Sequence, residues 1–225
     1  MALPLAVEKA REKMARLAPD MLRLGLAVGT WGNFSCRVQG ENLMVITPSG
    51  VPYTTMKPQD MVVMRLNGEI VDGELRPSTE WRLHAGIYRA RQDVNAVVHT
   101  HSPVASGLAV ARVPLPPVLE DMVQIVGGEV PVAPYATTGT EELAAGTAAA
   151  LQDVNGALLA NHGVVGVGRT LEDAFTVCQV IEKTAQVYVF ARLVGTPTVL
   201  AAGEIDRLRR LYRDGYGQPQ RRCPL

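Results

Sequence analysis

Apolar and polar positions change their period several times along the chain, and each change marks an element. From Ala6 to Leu26 apolar side chains recur at helical spacing (Val7, Ala10, Met14, Leu17, Met21, Leu24), which predicts an amphipathic helix. Pro19 is its kink or break, and Gly25 or Gly29 its end. Asn33 to Val38 then alternates Phe34, Cys36 and Val38, while Leu43 to Ile46 and Met61 to Leu66 are short apolar runs bounded by Pro, Gly and Asn. Both patterns predict strands. The Asn67-Gly68 pair between MVVMRL and EIV predicts a tight hairpin in which both central residues take positive φ. An antiparallel arrangement follows for this part of the chain.

From Ser78 onward helix and strand patterns alternate. STEWRLHAGIYRARQ predicts a helix, NAVVHTH a strand, and Ser102 the start of a second helix, with PPVLEDMVQIVGG partly helical. VPVAPY reads as a strand, GTEELAAGTAAALQ as a helix capped by Thr140, and GALLANHGVVGVG as a strand pair turning near Gly163. Thr170 and Asp173 have the spacing of a capping box, opening a long helix to about Val194, and Glu204 to Tyr212 forms a last one. No internal repeat or low-complexity linker interrupts the sequence, so residues 1–225 are expected to form one α/β domain.

Composition removes several function classes. Lys and Arg total 22, Asp and Glu total 22, and no block of like charge occurs, so the electrostatic footprint of a nucleic-acid partner is missing. The opening MALPLAV is too short and too quickly followed by charged residues for a signal or transit peptide. No apolar run approaches the roughly 20 residues of a membrane span. Cys36, Cys178 and Cys223 are far apart, outside any C-x-x-C pair and odd in number, which points away from a disulfide framework and from a cysteine metal site. A cytoplasmic protein is expected.

The chemistry concentrates in the histidines, of which there are four. His99 and His101 are separated by one residue in an apolar strand pattern, so both imidazoles project from one face. An isolated pair of this kind also reads as two surface or hydrogen-bonded histidines. His162 ends the apolar run ALLAN just before Gly163, where the backbone can bend toward a site, though a turn residue would look the same. Glu80 stands at the start of a predicted helix, whose positive end favours a carboxylate. Three imidazoles and one carboxylate would make a nitrogen and oxygen donor set suited to zinc. Spacing alone leaves open whether these segments converge. His84, one helical turn after Glu80, reads as structural.

The segments RLGLAVGTWGNFS, ITPSGVPY, PSTEWRLH, NAVVHTHS, GG-x-VP-x-APYATTGT and LLANHGVVGVG, in this order, resemble the class II aldolase/adducin superfamily from about Gly25 to Val194. Within it they are most similar to the branch that cleaves ketose 1-phosphates such as fuculose 1-phosphate. The resemblance implies a three-layer α/β fold with a central, mostly antiparallel sheet flanked by helices, and a homotetramer with active sites between neighbouring subunits. Glu80, His99, His101 and His162 fall on the family's zinc ligands, and Glu80 also on the residue that carries a proton at the carbon beside the carbonyl. A glutamate there favours aldolases over the related ribulose-phosphate epimerases, which carry aspartate.

The family's phosphate cradle carries over to Gly32, Asn33, Ser49, Gly50, Ser78 and Thr79, where hydroxyls and N–H groups at loops and helix starts hold a dianion without a basic cluster. The implied reaction is zinc-dependent cleavage of a small phosphorylated sugar, a ketose 1-phosphate like fuculose 1-phosphate or 5-deoxyribulose 1-phosphate, to dihydroxyacetone phosphate and a small aldehyde. The same scaffold also hosts epimerases, methylthioribulose-1-phosphate dehydratases, decarboxylases and the non-catalytic adducins. Two positions depart from the resemblance: Asp121, preceded by Glu120, stands where a catalytic tyrosine is expected, and Thr138 where a phenylalanine lies near the aldehyde. One of the two carboxyls, with Asp121 favoured by the count to Gly127-Gly128, is expected to serve as the second acid, with Tyr216 in the tail as the alternative.

Overall fold

A computed structural model describes residues 3–215 of the chain. The first helical pattern forms α1 (Leu5–Leu17) and a separate turn of helix, α2 (Asp20–Arg23). Pro19 between them has no N–H to give to the preceding turn, so one long helix is divided as its sequence predicts. The strands that follow are β1 (Asn33–Val38), β2 (Leu43–Ile46), β3 (Val62–Arg65) and β4 (Ile70–Asp72). Next come α3 (Trp81–Ala90), β5 (Ala96–Thr100), α4 (Pro103–Ala111), α5 (Glu120–Val126) and the two-residue β6 (Val132–Ala133). The chain continues through α6 (Glu141–Leu151), β7 (Gly156–Leu159), β8 (Gly163–Gly168), α7 (Leu171–Val194) and α8 (Ala202–Gly215).

All eight strands join one sheet in the order β4-β3-β2-β1-β5-β8-β7-β6. Every pairing is antiparallel except β6 with β7. The period-2 alternation sorts side chains onto its two faces. Phe34, Cys36 and Val98 pack on one side with Val7 and Met14 of α1 and with Ala174 and Phe175 of α7. Val97 and Val165 pack on the other with Leu83 and Ile87 of α3 and Leu143 and Leu151 of α6. Val97 and Val98 are both fully buried, on opposite faces, and each contributes about 1.5–3 kcal/mol of transfer free energy. A third apolar cluster lies under α4, α5 and α7 against Leu158 and Val164.

Caps appear where the sequence signals them. Thr140 accepts the Leu143 N–H at 3.2 Å, and Thr170 and Asp173 exchange both bonds of a capping box. The β3–β4 hairpin forms, but its turn differs from the prediction: Gly68 has φ +100°, whereas Asn67 is not among the positive-φ residues. Gly68 N–H bonds Arg65 O at 3.0 Å and Arg65 N–H bonds Glu69 O at 2.8 Å, so the tight turn spans Arg65 to Gly68 and glycine alone takes the left-handed position. No helix among the described residues is long and apolar enough to cross a membrane.

Candidate metal centre

Four elements bring their chemistry to one end of the sheet. Glu80 is the residue immediately before α3, His99 lies in β5, His101 follows one residue past its end, and His162 sits in the turn between β7 and β8. The decisive pairing is β5 with β8, in which His99 faces Val165 and Thr100 faces Val164, because it returns the β7–β8 turn to the end of β5. Ring centroids then lie 4.8 Å (His99 to His101), 4.7 Å (His99 to His162) and 5.2 Å (His101 to His162) apart. Gly163 makes the approach possible. A Cβ there would lie 2.3 Å from Thr100 O and 3.2 Å from His99 Cε1, so any side chain would push the turn off β5.

The donor atoms converge. Glu80 Oε2 is 3.2 Å from His99 Nε2, Glu80 Oε1 is 3.3 Å from His162 Nε2, and His99 and His101 Nε2 are 2.9 Å apart. One ligand atom from each of the four residues lies within 4.8 Å of the others. Four donors at zinc bond lengths of 2.0–2.1 Å in a tetrahedron would be roughly 3.3 Å apart, so this spacing suits one small divalent ion. The protonation pattern suits it too. His99 Nδ1 donates to the Val164 carbonyl at 2.9 Å, which leaves Nε2 of the neutral ring bare and aimed at the cluster.

Electrostatics favour a cation at the centre. Burial pushes the Glu80 carboxyl up, but attraction and a hydrogen bond from His99, with His162 and the Asn33 amide, outweigh it and hold Glu80 well below the usual carboxylate range. Burial pushes His99 down, and Glu80 together with the Val164 contact reverses this and raises it. His101 is held down at about 4 by burial and by the neighbouring His99 and His162, and His162 at about 4 by burial and His99. Two rings are therefore neutral near pH 7, while the third sits where positive charge is welcome. A single proton meets that demand at only one pair, whereas a divalent ion meets it at all four donors.

Glu80, His101 and His162, with the fully buried His99 behind them, form one wall of a pocket of about 500 Å³ that is also lined by Gly32, Asn33, Ser49, Gly50, Ser78 and Thr79. Two of the loops contributing to it are stitched together. Ser49 N–H bonds Arg76 O at 2.9 Å, Ser78 N–H bonds Thr47 O at 3.0 Å, and Ser78 Oγ accepts the Glu80 N–H at 3.2 Å. These bonds use the Ser49 and Ser78 amides for structure, which leaves the exposed Ser49 and Thr79 hydroxyls to meet a ligand. The Asn33 side chain is also spent: its Nδ2 donates to Glu80 Oε2 at 2.8 Å. Thr138 donates to Glu80 Oε1 at 2.9 Å, a contact between turns 58 residues apart that no local pattern signals. A larger cleft of about 580 Å³, lined by Arg91, Gln124, Asp153 and Arg209, contains none of the cluster residues, and the chemistry is assigned to the smaller pocket.

The remaining expected site residues lie elsewhere. Asp121 is the second residue of α5, accepts the Met122 N–H at 2.9 Å and pairs with Lys183 of α7, while Glu120, the first, is exposed. Neither lines the pocket of the single chain. Tyr216 lies outside the described residues.

An α/β sheet that gathers three imidazoles and a carboxylate beside a pocket offers a donor set that could hold a metal ion next to a small molecule. The chain belongs to the family described as Class II Aldolase and Adducin N-terminal domain, which matches residues 12–189. It is 38% identical over 214 residues to a 5-deoxy-D-ribulose 1-phosphate aldolase of Bacillus thuringiensis serovar kurstaki, covering 95% of this chain and 100% of that protein. It is 38% identical over 208 residues to a 5-methylthioribulose-1-phosphate/5-deoxyribulose-1-phosphate aldolase of Rhodospirillum rubrum, covering 92% of each. Among solved structures, an L-fuculose 1-phosphate aldolase superposes with a TM-score of 0.88 at 36% identity, over 91% of this chain and 96% of that one. These similarities make the chain a class II aldolase, a carbon–carbon lyase of sugar-phosphate chemistry.

Proposed function

We propose that the protein is a zinc-dependent aldolase that cleaves a ketose 1-phosphate of the fuculose 1-phosphate or 5-deoxyribulose 1-phosphate kind to dihydroxyacetone phosphate and a small aldehyde. The observation that carries this reading is the convergence of Glu80, His99, His101 and His162 in a pocket bounded by the stitched loops 47–50 and 76–79. Three nitrogen donors and one oxygen donor are a set that zinc accepts readily. When bound, the ion supplies a Lewis acid for the negative charge that develops on the C2 oxygen as the bond between C3 and C4 breaks.

The chain's own residues supply the rest. Ser49, Gly50, Ser78 and Thr79, with Gly32, hold the phosphate and fix the distance from the ester to C2 and C3. Glu80 delivers a proton to C3 as dihydroxyacetone phosphate forms, and removes it in the reverse direction. The C4 hydroxyl loses its proton as the aldehyde forms, and a second group must take it. Asp121, Glu120 or Tyr216 fills this role. Asp121 and Glu120 lie outside the pocket of their own chain, so they would reach the site from a neighbouring subunit of a homotetramer. The bare apolar rim supports such an assembly: Trp31 and Tyr135, both lining the pocket, are 68% and 63% exposed. A cytoplasmic enzyme fits Cys36 and Cys178, which are free and buried among the described residues.

The test is a panel of fuculose, rhamnulose, 5-deoxyribulose and methylthioribulose 1-phosphates, scored for dihydroxyacetone phosphate against epimerised or dehydrated product. Release of dihydroxyacetone phosphate with about one zinc per subunit is the expected result. Turnover of the ketoses without that product would overturn the aldolase reading.

A further inference from the structure

Glu80 is not held by the other ligands alone. A line of buried polar side chains runs to it from the opposite end of α3, through the face of β1 that packs on that helix. Asn33 and Ser35, two residues apart in β1, project from the same face of the sheet. His84 bridges them: its Nε2 is 2.6 Å from Asn33 Oδ1 and its Nδ1 is 2.7 Å from Ser35 Oγ. Ser35 Oγ is in turn 2.8 Å from the Tyr88 hydroxyl, one helical turn further along α3. Ser35, His84 and Tyr88 are fully buried, and Asn33 is 4% exposed.

Chemistry fixes the direction of each bond. An ionised carboxylate only accepts, so Asn33 must turn Nδ2 toward Glu80 Oε2. Asn33 Oδ1, which also only accepts, then faces His84, so the ring proton sits on His84 Nε2. Burial pushes the ring down to about 3 and keeps it neutral. Nδ1 is therefore bare and accepts from the Ser35 hydroxyl, whose own oxygen accepts from Tyr88. The two Glu80 oxygens become different: Oε2 meets an amide that can only donate, and Oε1 meets the Thr138 hydroxyl, which can donate or accept.

We propose that His84 is a positioning residue for Glu80, acting through Asn33, and that the ordered line Tyr88, Ser35, His84, Asn33 aims the carboxylate that binds the metal and carries the proton. This rests on the role given to Glu80 above. An Asn33 without its His84 partner is free to rotate its amide and present an oxygen to Glu80, and the carboxylate then loses its fixed donor. Partners of this kind behind a metal ligand are typically worth about 10- to 100-fold in affinity or activity.

The experiment compares His84→Leu and His84→Gln with the wild type. At saturating zinc, His84→Leu is expected to lower kcat for ketose 1-phosphate cleavage about 10- to 100-fold with KM within about threefold, and to weaken zinc binding about 10-fold. His84→Gln keeps an N–H within reach of Asn33 and is expected to recover much of both losses, although each variant removes the packed ring. A folded, zinc-loaded His84→Leu within about twofold of wild type in kcat and zinc affinity overturns the inference. Should His84→Leu not fold, nitrogen-15 spectra of the wild-type histidines decide: a protonated Nε2 and bare Nδ1 at His84 support the inference, and a protonated Nδ1 overturns it. The spectrum and the zinc titration need no substrate. A wild type that cleaves no ketose 1-phosphate therefore overturns the aldolase reading, and the judgement on His84 rests on those two measurements.

Discussion

Replacing Glu80 by glutamine separates the two tasks assigned to this side chain, because the substitution keeps its shape and removes its charge and its basicity. The amide oxygen can still accept from Asn33, and the amide nitrogen can donate to the Thr138 hydroxyl, so the contacts now at 2.8 and 2.9 Å persist. A hydrogen bond to a charged group is worth about 1.5–3 kcal/mol and a neutral one about 0.5–1.5, so the two bonds together weaken by roughly 2–3 kcal/mol. Removal of a buried charge offsets part of that loss. The net change in stability is then within about 2 kcal/mol, or a Tm shift of about 4–8 °C for a chain of this size. His99, His101 and His162 remain to hold zinc at saturating concentration. The proton step should fall about 100- to 10,000-fold, which at 1.36 kcal/mol per decade is about 2.7–5.5 kcal/mol of lost transition-state stabilisation. Exchange of solvent deuterium into dihydroxyacetone phosphate, followed by proton NMR with no aldehyde present, reads this step alone. A folded, zinc-loaded Glu80→Gln that exchanges at the wild-type rate would refute the assignment.

Other expectations follow from the same geometry. His99→Ala or His162→Ala should strip zinc and activity together, measured by elemental analysis and dihydroxyacetone phosphate release, and full turnover after exhaustive chelation would sink the metal reading. Asp121→Asn loses only a half-exposed pair with Lys183, worth about 0–1 kcal/mol, so a drop in kcat at unchanged zinc content and Tm would mark it as the second acid. If that variant cleaves normally and Tyr216→Phe does not, the tail tyrosine holds the role instead. For His84 the folded pKa is lowered, from 6.5 to about 3, so its contribution to stability is complete above pH 6.5 and is lost as pH falls toward 3. At up to 1.36 kcal/mol per pH unit the loss reaches roughly 3 kcal/mol at pH 4, and His84→Gln should remove that part of the slope. Urea midpoints of the metal-free proteins between pH 6.5 and 4 check this, and parallel curves for the two proteins would contradict it.

Much of the fold was legible in the chain because its signals are local. Alternation at Phe34, Cys36 and Val38, the capping box at Thr170 and Asp173, and the break at Pro19 each depend on neighbours a few residues away, and each appears where the pattern puts it. The hairpin after β3 was legible as a hairpin but not as its turn type. Asn67-Gly68 favours two positive φ values, yet here only Gly68 takes one, and a Cβ on Gly68 would meet the Trp81 ring at 2.6 Å. A ring delivered by a later helix leaves no room for a side chain at that turn.

The ligand types were legible as well: a strand with histidines two apart, a third histidine before a glycine, and a glutamate at a helix start. Their meeting was legible only through the family resemblance, because spacing by itself leaves it open. Glu80, His99, His101 and His162 converge only because β5 lies between β1 and β8, with Asn33 facing His99 on one side and Val165 facing His99 on the other. Strand order minimises exposed apolar surface over both faces at once, and no window of sequence contains that sum. The partners of Glu80 belong to the same category. Asn33 was read from the sequence as a phosphate ligand and His84 as a structural residue, and the packing of α3 on β1 joins them into one line to the carboxylate. The sequence determined which residues could ligate a metal, since that is a property of side-chain chemistry and local period; the tertiary structure alone decided which atoms face one another, since that depends on how distant segments bury each other.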